Sequence, residues 1–215
     1  DMDASSSGYE FSRESRPVDR AVSDYLAAPD DHLLITWRNG VRMAANMKIR
    51  AALGHDGPLP DSGEPVLIRK NGQGFLNGEI ATCGGFEAGP IIGEVRCLWM
   101  LLNDQRVLVS YEGRDCAFDG QFPKIQNWRG YHIDLKKKML SDPLPVTWGY
   151  CLTAHAAQGS EAKRVTVFLE RGDERSSHFR KATRLPSGEE TTFAARWIYT
   201  ATTRSKSWTT MLVGQ

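Results

Sequence analysis

The stretch Thr153–Glu161, TAHAAQGSE, contains a dense set of side chains that can do chemistry. Thr153 and His155 place a hydroxyl and an imidazole two residues apart, and such donors suit the oxygens of a phosphate. Gly159 provides a turn, and Glu161 provides a carboxylate that can accept hydrogen bonds from ribose hydroxyls. By itself, the end of this stretch, Gly159–Glu161, is a tight turn that carries a carboxylate.

A second stretch, Tyr199–Lys206, has the sequence YTATTRSK and precedes an apolar run. Its Arg204 carries a planar guanidinium, which can meet two oxygens of a γ-phosphate at once, whereas a lysine offers only a point charge. The alternative for Arg204 is an ordinary surface ion pair. The nearby Trp197, Tyr199 and Trp208 are expected in the core rather than stacked on bases.

A third stretch, Ile35–Arg50, has the sequence ITWRNGVRMAANMKIR and reads as a strand followed by a helix. Thr36 and Asn39 fall where the strand ends and the helix begins, and a phosphate can bind at a helix N-terminus. Arg38 lies between them and faces either DNA or nucleotide. A purely structural strand and helix is the alternative.

Together these stretches resemble motifs V, VI and IV of superfamily 1 DNA helicases, in the second, UvrD-like C-terminal motor domain of the RecD-like and Dda-like branch. The resemblance covers roughly residues 17–215. It implies that nucleic acid is bound by the residues of the strand ends, namely Thr36, Arg38, Asn39, Thr153 and His155. The resemblance also implies 5′ to 3′ movement along DNA. The residues by themselves do not indicate this direction.

The same resemblance assigns the remaining residues to the nucleotide. Gly159 and Glu161 would border it, and Gln158 would couple the nucleotide site to the DNA site. Arg204 would be the arginine finger and, with Gln158, would act in catalysis. Taken singly, His155 is more simply a surface histidine and Glu161 a helix-terminal charge, so the interpretation depends on their order along the chain.

Apolar spacing predicts the elements that position these residues. A helix begins at Val18, a buried strand covers Leu33–Trp37, and a second helix is capped by Asn39 and stopped by Gly54. Residues 1–16 are predicted to be a flexible lead-in. Helix, strand and helix in this order are typical of an α/β domain.

A different module is predicted to follow residues 54–65, which contain three glycines and three prolines. Short strands separated by turns, including one at Gly84–Gly85, predict a small antiparallel β-barrel over 62–144. The predicted strands are Val66–Arg69, Glu79–Cys83, Glu94–Met100, Val107–Tyr111 and Ile133–Leu135. The run GEPVLIRKNGQGFLNGEI resembles the Src-homology-3-like barrel of RecD-like helicases. Lys136–Lys138 are expected to be a solvated charge run rather than a DNA contact.

The α/β pattern returns after Pro145, with strands predicted at Val146–Leu152, Val165–Leu169 and Met211–Val213. A helix is predicted at Ala194–Thr202. Between them, Glu170–Thr192 is polar and long for a loop, and is either functional or partly disordered. The predicted fold class is therefore a RecA-like parallel-sheet domain, residues 17–61 and 145–215, with an inserted barrel.

Composition narrows the function classes. The chain has 215 residues, with 27 Lys and Arg against 26 Asp and Glu, so any basic surface must be local. No apolar run is long enough for a membrane helix or a signal peptide, which predicts a soluble, cytoplasmic protein. The resemblance to RecD-like and Dda-like helicases implies a bacterial or phage-like context. The four cysteines form no C-x-x-C pair, so buried thiols and no metal are expected. A zinc site of Cys83, Cys97, Cys116 and His132 is a minor alternative.

The sequence contains no G-x-x-x-x-G-K-[ST] loop to hold phosphates. Superfamily 1 helicases carry that loop in the first motor domain, which is expected upstream of Asp1. ATP and Mg²⁺ would then be bound only together with that domain, and this chain alone should hydrolyse ATP negligibly. The expected partners are single-stranded DNA, the N-terminal RecA-like domain and other replication or repair proteins, without a membrane. The alternative function is a non-catalytic nucleic-acid or peptide binding module.

Overall fold

A computed structural model describes residues 8–92, 95–111, 143–185 and 187–215. The chain divides into two compact units, Asp1–Ile49 with Tyr150–Gln215, and Arg50–Gly149. The second unit begins earlier and ends later than the predicted insert 62–144. The predicted strand Ile133–Leu135 and the residues Cys116, His132 and Lys136–Lys138 lie outside the described residues.

The regular elements, apart from a short 3-10 turn at Asp173–Arg175, are numbered in chain order. They are β1 (Gly8–Glu14), α1 (Pro17–Ala27), β2 (His32–Thr36), α2 (Asn39–Ala52), β3 (Pro65–Ile68), β4 (Ile80–Ile92), β5 (Val95–Leu102), β6 (Gln105–Tyr111), β7 (Leu144–Trp148), β8 (Cys151–Thr153), β9 (Ala162–Leu169), α3 (Ser177–Arg180), β10 (Ala182–Arg184), β11 (Glu190–Thr192), α4 (Phe193–Thr202) and β12 (Ser205–Gly214). Within the described chain, no helix is long and apolar enough to cross a membrane.

The first unit is built on a five-stranded sheet in the order β1-β12-β9-β2-β8, in which every pair is parallel. On one face, α1 and α2 bury a core that includes Ala21, Ile49, Leu34 and Phe168. The connection from β9 to β12 through α4 runs across the sheet in the opposite direction, and right-handed crossovers therefore place α4 on the other face. The predicted RecA-like α/β class is confirmed.

The prediction of a flexible lead-in over 1–16 is wrong for its second half. Residues 8–14 form β1, which pairs with β12 in the register Tyr9↔Thr209 and Phe11↔Met211. Tyr9 and Phe11 remain more than half exposed, because β1 is the edge strand and its side chains alternate between the two faces. The Ser-rich and acidic composition concealed this alternation.

The predicted strand Val146–Leu152 is two strands that belong to different sheets. β7 ends at Trp148 and closes the barrel against β3, whereas β8 begins at Cys151 and pairs with β2. Gly149 lies between them, and an added Cβ there would come within 3.1 Å of the Pro65 backbone. The chain therefore passes from one sheet to the other at Gly149, within a continuous apolar run.

The segment Glu170–Thr192 is folded rather than irregular. It contains the 3-10 turn, α3, and a small antiparallel hairpin of β10 and β11. Phe179 of α3 is buried, and its ring centroid lies 4.6 Å from that of Trp37. This contact attaches the segment to the end of β2.

The second unit contains a closed barrel in the order β3-β4-β5-β6-β7, so the predicted barrel is confirmed. All its strand pairs are antiparallel except β6 with β7, which is parallel. The residues predicted to form a turn, Gly84–Gly85, instead lie inside the long β4, where the register shifts and Gly85 has a φ of +128°. This bulge bends the strand without ending it.

A buried ion pair fixes the start of the barrel unit. Arg50 Nε and Nη2 donate to the two carboxylate oxygens of Glu64 at 2.7 and 2.9 Å, and both side chains are at most 5% exposed. The guanidinium also donates to the carbonyls of Gly57 and Leu59 and lies 4.6 Å from the ring centroid of Trp148. One side chain thereby organises the Gly- and Pro-rich connector.

Cys83, Cys97 and Cys151 are buried cysteines. Burial raises the pKa of Cys97 to about 11 and the pKa of Cys151 still further. These thiols therefore stay protonated and unreactive at neutral pH.

We predict that Arg50→Ala destabilises the protein by about 3–5 kcal/mol, because it leaves the Glu64 carboxylate buried without its countercharge. Urea unfolding measures this free energy. Arg106→Ala is the matched control, since Arg106 also covers a tryptophan and pairs with Glu87 but has a side chain 55% exposed. It should cost less than about 1 kcal/mol. Equal losses for both variants would contradict the role given to Arg50.

We also predict that acidification destabilises the first unit through His32. Nδ1 donates to the Ala28 carbonyl at 3.2 Å, and Nε2 lies 2.9 Å from the Thr166 hydroxyl, from which it accepts when the ring is neutral. Desolvation by burial lowers the pKa of His32 below its ordinary 6.5. The unfolded chain therefore takes up a proton first, and stability falls as pH drops below about 6.5. His32→Gln should flatten the change in unfolding free energy between pH 7.5 and 5.5, and an unaltered pH dependence would refute the assignment.

Candidate nucleotide and nucleic-acid site

The carboxyl ends of β2 and β8 lie side by side in the sheet. Thr36 pairs in register with Thr153 on one side and with Phe168 on the other. The chain then leaves β8 in a turn that exposes His155, with the Ala157 N–H bonded to the Thr153 carbonyl at 2.9 Å. Two of the predicted DNA residues, Thr153 and His155, therefore lie at this edge of the sheet.

Thr36 does not offer its side chain to a ligand. It is fully buried, and its hydroxyl donates to the Phe168 carbonyl at 2.9 Å. The predicted contact between the Thr36 side chain and DNA is therefore wrong. The hydroxyl instead joins β2 to β9 at the level where β8 also ends.

Arg38 and Asn39 are exposed at the beginning of α2. Asn39 is the first helical residue, one position inside the predicted cap. Arg38 Nε donates to the carboxylate of Asp173, which is 1% exposed. Arg38 therefore anchors the 3-10 turn, and Asn39 is open to solvent in the first turn of a helix.

Asn46 holds β8 in place. Its side-chain oxygen accepts from the Cys151 N–H at 3.0 Å, and its amide nitrogen donates to the Cys151 carbonyl at 3.1 Å. The fully buried amide of Asn46 thereby satisfies the backbone groups that an additional strand would otherwise pair with. It fixes the strand from which Thr153 and His155 extend.

A groove of about 140 Å³ opens between the turn after β8 and the helix α4. Its polar lining comes from His155 and Gln158 on the turn and from Arg196 and Thr200 on the helix. The ring of His155 is nearly parallel to that of Phe193, with centroids 6.5 Å apart and an interplanar angle of 22°. Gln158, predicted to couple two sites, therefore shares a groove with a predicted DNA residue.

The amino ends of β9 and β12 hold the other predicted residues. The Ala162 N–H donates to the Arg204 carbonyl at 3.0 Å, and Lys206 Nζ lies 3.4 Å from a carboxylate oxygen of Glu161. Arg204 is half-buried and donates to the Thr200 carbonyl and to the Thr203 hydroxyl, both at 3.2 Å. Glu161 and Arg204 therefore lie close together at the amino ends of these strands.

Gly159 makes the approach to this second edge possible. Its φ of +90° lies in the left-handed region that glycine adopts without strain. No atom lies within 4 Å of the position that a Cβ would occupy. The backbone is therefore open to solvent at the position predicted to border a nucleotide.

Two pieces of chain connect the two edges of the sheet. Along β9, Ala162 and Phe168 are six residues apart, which corresponds to about 20 Å at the rise of a strand. Residues 154–161 cross this distance from His155 to Glu161, and α4 links the groove to Arg204 through Thr200. The predicted DNA residues and the predicted nucleotide residues thus lie at opposite edges of the sheet. Residues 154–161 and α4 both connect the two sets.

The three aromatic residues near α4 have different environments. Trp197 is 3% exposed and packs against Trp37 with centroids 5.8 Å apart, so its predicted core position is confirmed. Trp208 is half-buried, and its ring lies directly over Gly8. Tyr199 is 71% exposed, and its predicted core position is wrong.

Sequence reasoning missed Asn46, Asp173 and Arg196. Asn46 sits at a buried position of α2, and an amide on the apolar face of a helix is a signal that its partner is elsewhere in the fold. Asp173 and Arg196 carried no such signal, because a charged residue outside an apolar pattern does not indicate its partner; the structure gives these partners as Arg38 and Thr183.

In the described part of the chain, the carboxylate next to Arg204 is that of Glu161, and it pairs with Lys206. Elsewhere, His55, Asp61 and Glu64 lie within 4.8 Å of one another, but Arg50 already binds both oxygens of Glu64. That cluster is an ion-pair network.

No family model matches the sequence, and no curated protein does. Among solved structures, a Bacteroides Pif1 helicase in complex with ADP-AlF3 and single-stranded DNA is 12% identical, with a TM-score of 0.42 over 90% of this chain and 44% of that one. A Bacteroides Pif1 bound to single-stranded DNA is 13% identical, with a TM-score of 0.37 over 83% and 40%. The chain therefore spans less than half the length of these proteins. Similarity this low assigns no family.

We predict that Thr36→Val and Thr153→Val separate structure from binding. The Thr36 variant should lose about 1 kcal/mol of stability through its buried hydrogen bond and keep its affinity for single-stranded DNA. The Thr153 variant should weaken DNA binding with little loss of stability. Thermal unfolding and fluorescence anisotropy measure the two quantities, and the reverse result would contradict the placement of the two hydroxyls.

Proposed function

We propose that this chain is the second motor domain of an ATP-dependent DNA helicase of superfamily 1. In this role it binds single-stranded DNA at the carboxyl edge of its sheet and reaches a nucleotide from the amino edge. The observation that supports the proposal best is the double connection between these edges, through residues 154–161 and through α4. A change at Arg204 or Glu161 can thereby be transmitted to His155.

DNA binding follows from the groups at the carboxyl edge. Thr153 and His155 offer a hydroxyl and an imidazole to phosphate oxygens, and Asn39 offers an amide at a helix start. Arg38 contributes positive charge while holding Asp173. Because these are backbone contacts, binding should be indifferent to base sequence and sensitive to salt. Thr36 supports this edge from within the sheet.

Arg204 acts as the arginine finger in this proposal. Phosphoryl transfer increases charge on the γ-phosphate oxygens, and a guanidinium positioned there stabilises the transition state. Its bonds to Thr200 and Thr203 hold the side chain at the end of α4. Glu161 and the open backbone of Gly159 approach the ribose, and Gln158 relays the state of the nucleotide to the groove.

ATP and Mg²⁺ are bound jointly with a first motor domain that carries the phosphate-holding loop. The residues of this chain do not form such a loop, and the carboxylate beside Arg204 is paired with Lys206. The chain alone therefore hydrolyses ATP negligibly. Closure of the cleft between the two domains brings Arg204 toward the phosphates and moves the DNA contacts along the strand.

We predict that Arg204→Ala lowers DNA-stimulated ATP hydrolysis by about 10³ to 10⁵ when this chain is joined to a first motor domain. The affinity for single-stranded DNA should not change, because Arg204 lies at the other edge. Arg204→Lys should remain strongly impaired, since an ammonium cannot replace a planar guanidinium. Steady-state ATPase assays and fluorescence anisotropy measure the two effects.

Arg13→Ala provides the control, since Arg13 is exposed on the edge strand β1 and should leave the rate unchanged. An Arg204→Ala variant with the wild-type rate would remove the arginine finger. Peptide binding by the barrel unit without any DNA affinity at low salt would favour a non-catalytic binding module. The residues encoded before Asp1 provide a further test, because a phosphate-binding loop is expected there.

A further inference from the structure

We propose that Arg196 binds a phosphate of single-stranded DNA in the groove between α4 and the turn after β8. This inference rests on the proposed function and adds to it a residue that none of the three motifs assigns to DNA. It also gives a role to the hairpin β10–β11, which positions Arg196.

The groove has the chemistry of an anion site. Its polar groups are an imidazole, an amide, a guanidinium and a hydroxyl, from His155, Gln158, Arg196 and Thr200. Among the described residues that line it, none carries a carboxylate. All four side chains can donate hydrogen bonds, and one of them is permanently charged. Its volume of about 140 Å³ is small, and suits a phosphate group better than a whole nucleotide.

A hydrogen bond to a neutral side chain positions Arg196, and no carboxylate of the described residues pairs with its charge. Its Nη1 donates to the Thr183 hydroxyl at 3.1 Å, a neutral partner that directs the guanidinium but leaves its charge uncompensated. Thr183 belongs to β10, whose partner strand β11 leads into Thr192, the cap of α4. The hairpin and the helix therefore determine where Arg196 lies.

The floor of the groove is aromatic and rigid. Phe193 and Trp197 line it, and Trp37 packs against both, with centroid distances of 5.3 and 5.8 Å. Rings held in this way exclude water from one side of a bound phosphate, which strengthens its interaction with a guanidinium.

A phosphate of single-stranded DNA suits this groove better than the phosphates of ATP. His155, at one end of the groove, follows the strand that carries Thr153. Arg204 lies beyond the end of α4 at Thr202, which is six residues after Arg196, or about 9 Å at the rise of a helix. Arg196 therefore belongs with the DNA contacts, and Arg204 with the nucleotide.

The test measures binding of a fluorescent oligothymidylate to the 215-residue chain over a range of salt concentrations. Arg196→Ala should weaken binding about tenfold at low salt and reduce the slope of log affinity against log salt by about 0.7, as expected for the loss of one phosphate contact to a single strand. Arg196→Lys should restore most of the slope, because the charge is retained.

Arg13→Ala is the matched control, since it also removes one exposed arginine but on β1, which does not line the groove. It should leave the salt slope unchanged, and thermal unfolding should show that all three variants are folded. A slope reduced equally in Arg13→Ala would show a general effect of charge and overturn the inference.

Three further outcomes bear on this inference and on the proposed function. Wild-type binding by Arg196→Ala together with weakened binding by His155→Ala would overturn the groove and leave the helicase proposal standing. Absence of DNA binding by the unaltered chain at low salt would overturn both. Displacement of the oligonucleotide by ATP from the wild type, but not from Arg196→Ala, would reassign the groove to a nucleotide and overturn the inference.

Discussion

All five strands of the sheet run in the same direction, and this constraint determines where every functional side chain can lie. A parallel sheet has two unlike edges, and each connection must cross its length before the next strand begins. The turn after β8 crosses it with only residues 154–161, and α4 returns the chain to β12. Side chains at the end of one strand and side chains at the start of the next therefore lie at opposite edges of the sheet, although only a few residues separate them along the chain.

Internal contacts hold this arrangement at its carboxyl edge. The Thr36 hydroxyl joins β2 to β9, and Asn46 occupies the backbone groups of Cys151 on the outer side of β8. Arg38 pairs with Asp173, and Trp37 packs against Phe179. These contacts hold the polar segment after β9 at the same edge of the sheet. The exposed His155 and Arg196 thus extend from a surface whose supporting groups are buried and hydrogen-bonded.

Local patterns predicted most of the elements, because apolar spacing and turn residues act over a few positions. Gly54, where α2 was predicted to stop, has the positive φ that glycine favours. The errors arose where tertiary pairing decides. The end of β7 and the start of β8 form one apolar run, Gly84–Gly85 bends a strand instead of ending it, and β1 has few apolar residues. The sequence motifs brought Glu161 near Arg204, but could not show that Thr36 is buried or that Arg196 faces His155.

The first and last strands of the barrel unit, β3 and β7, are hydrogen-bonded neighbours, with Val66 opposite Trp148. The chain therefore enters and leaves that unit at nearly the same point. The two ends of this long insertion therefore lie as close together as the ends of a short loop. The entropy lost in closing such a loop increases only slowly with its length. Modules of quite different size could occupy this position without disturbing the host sheet.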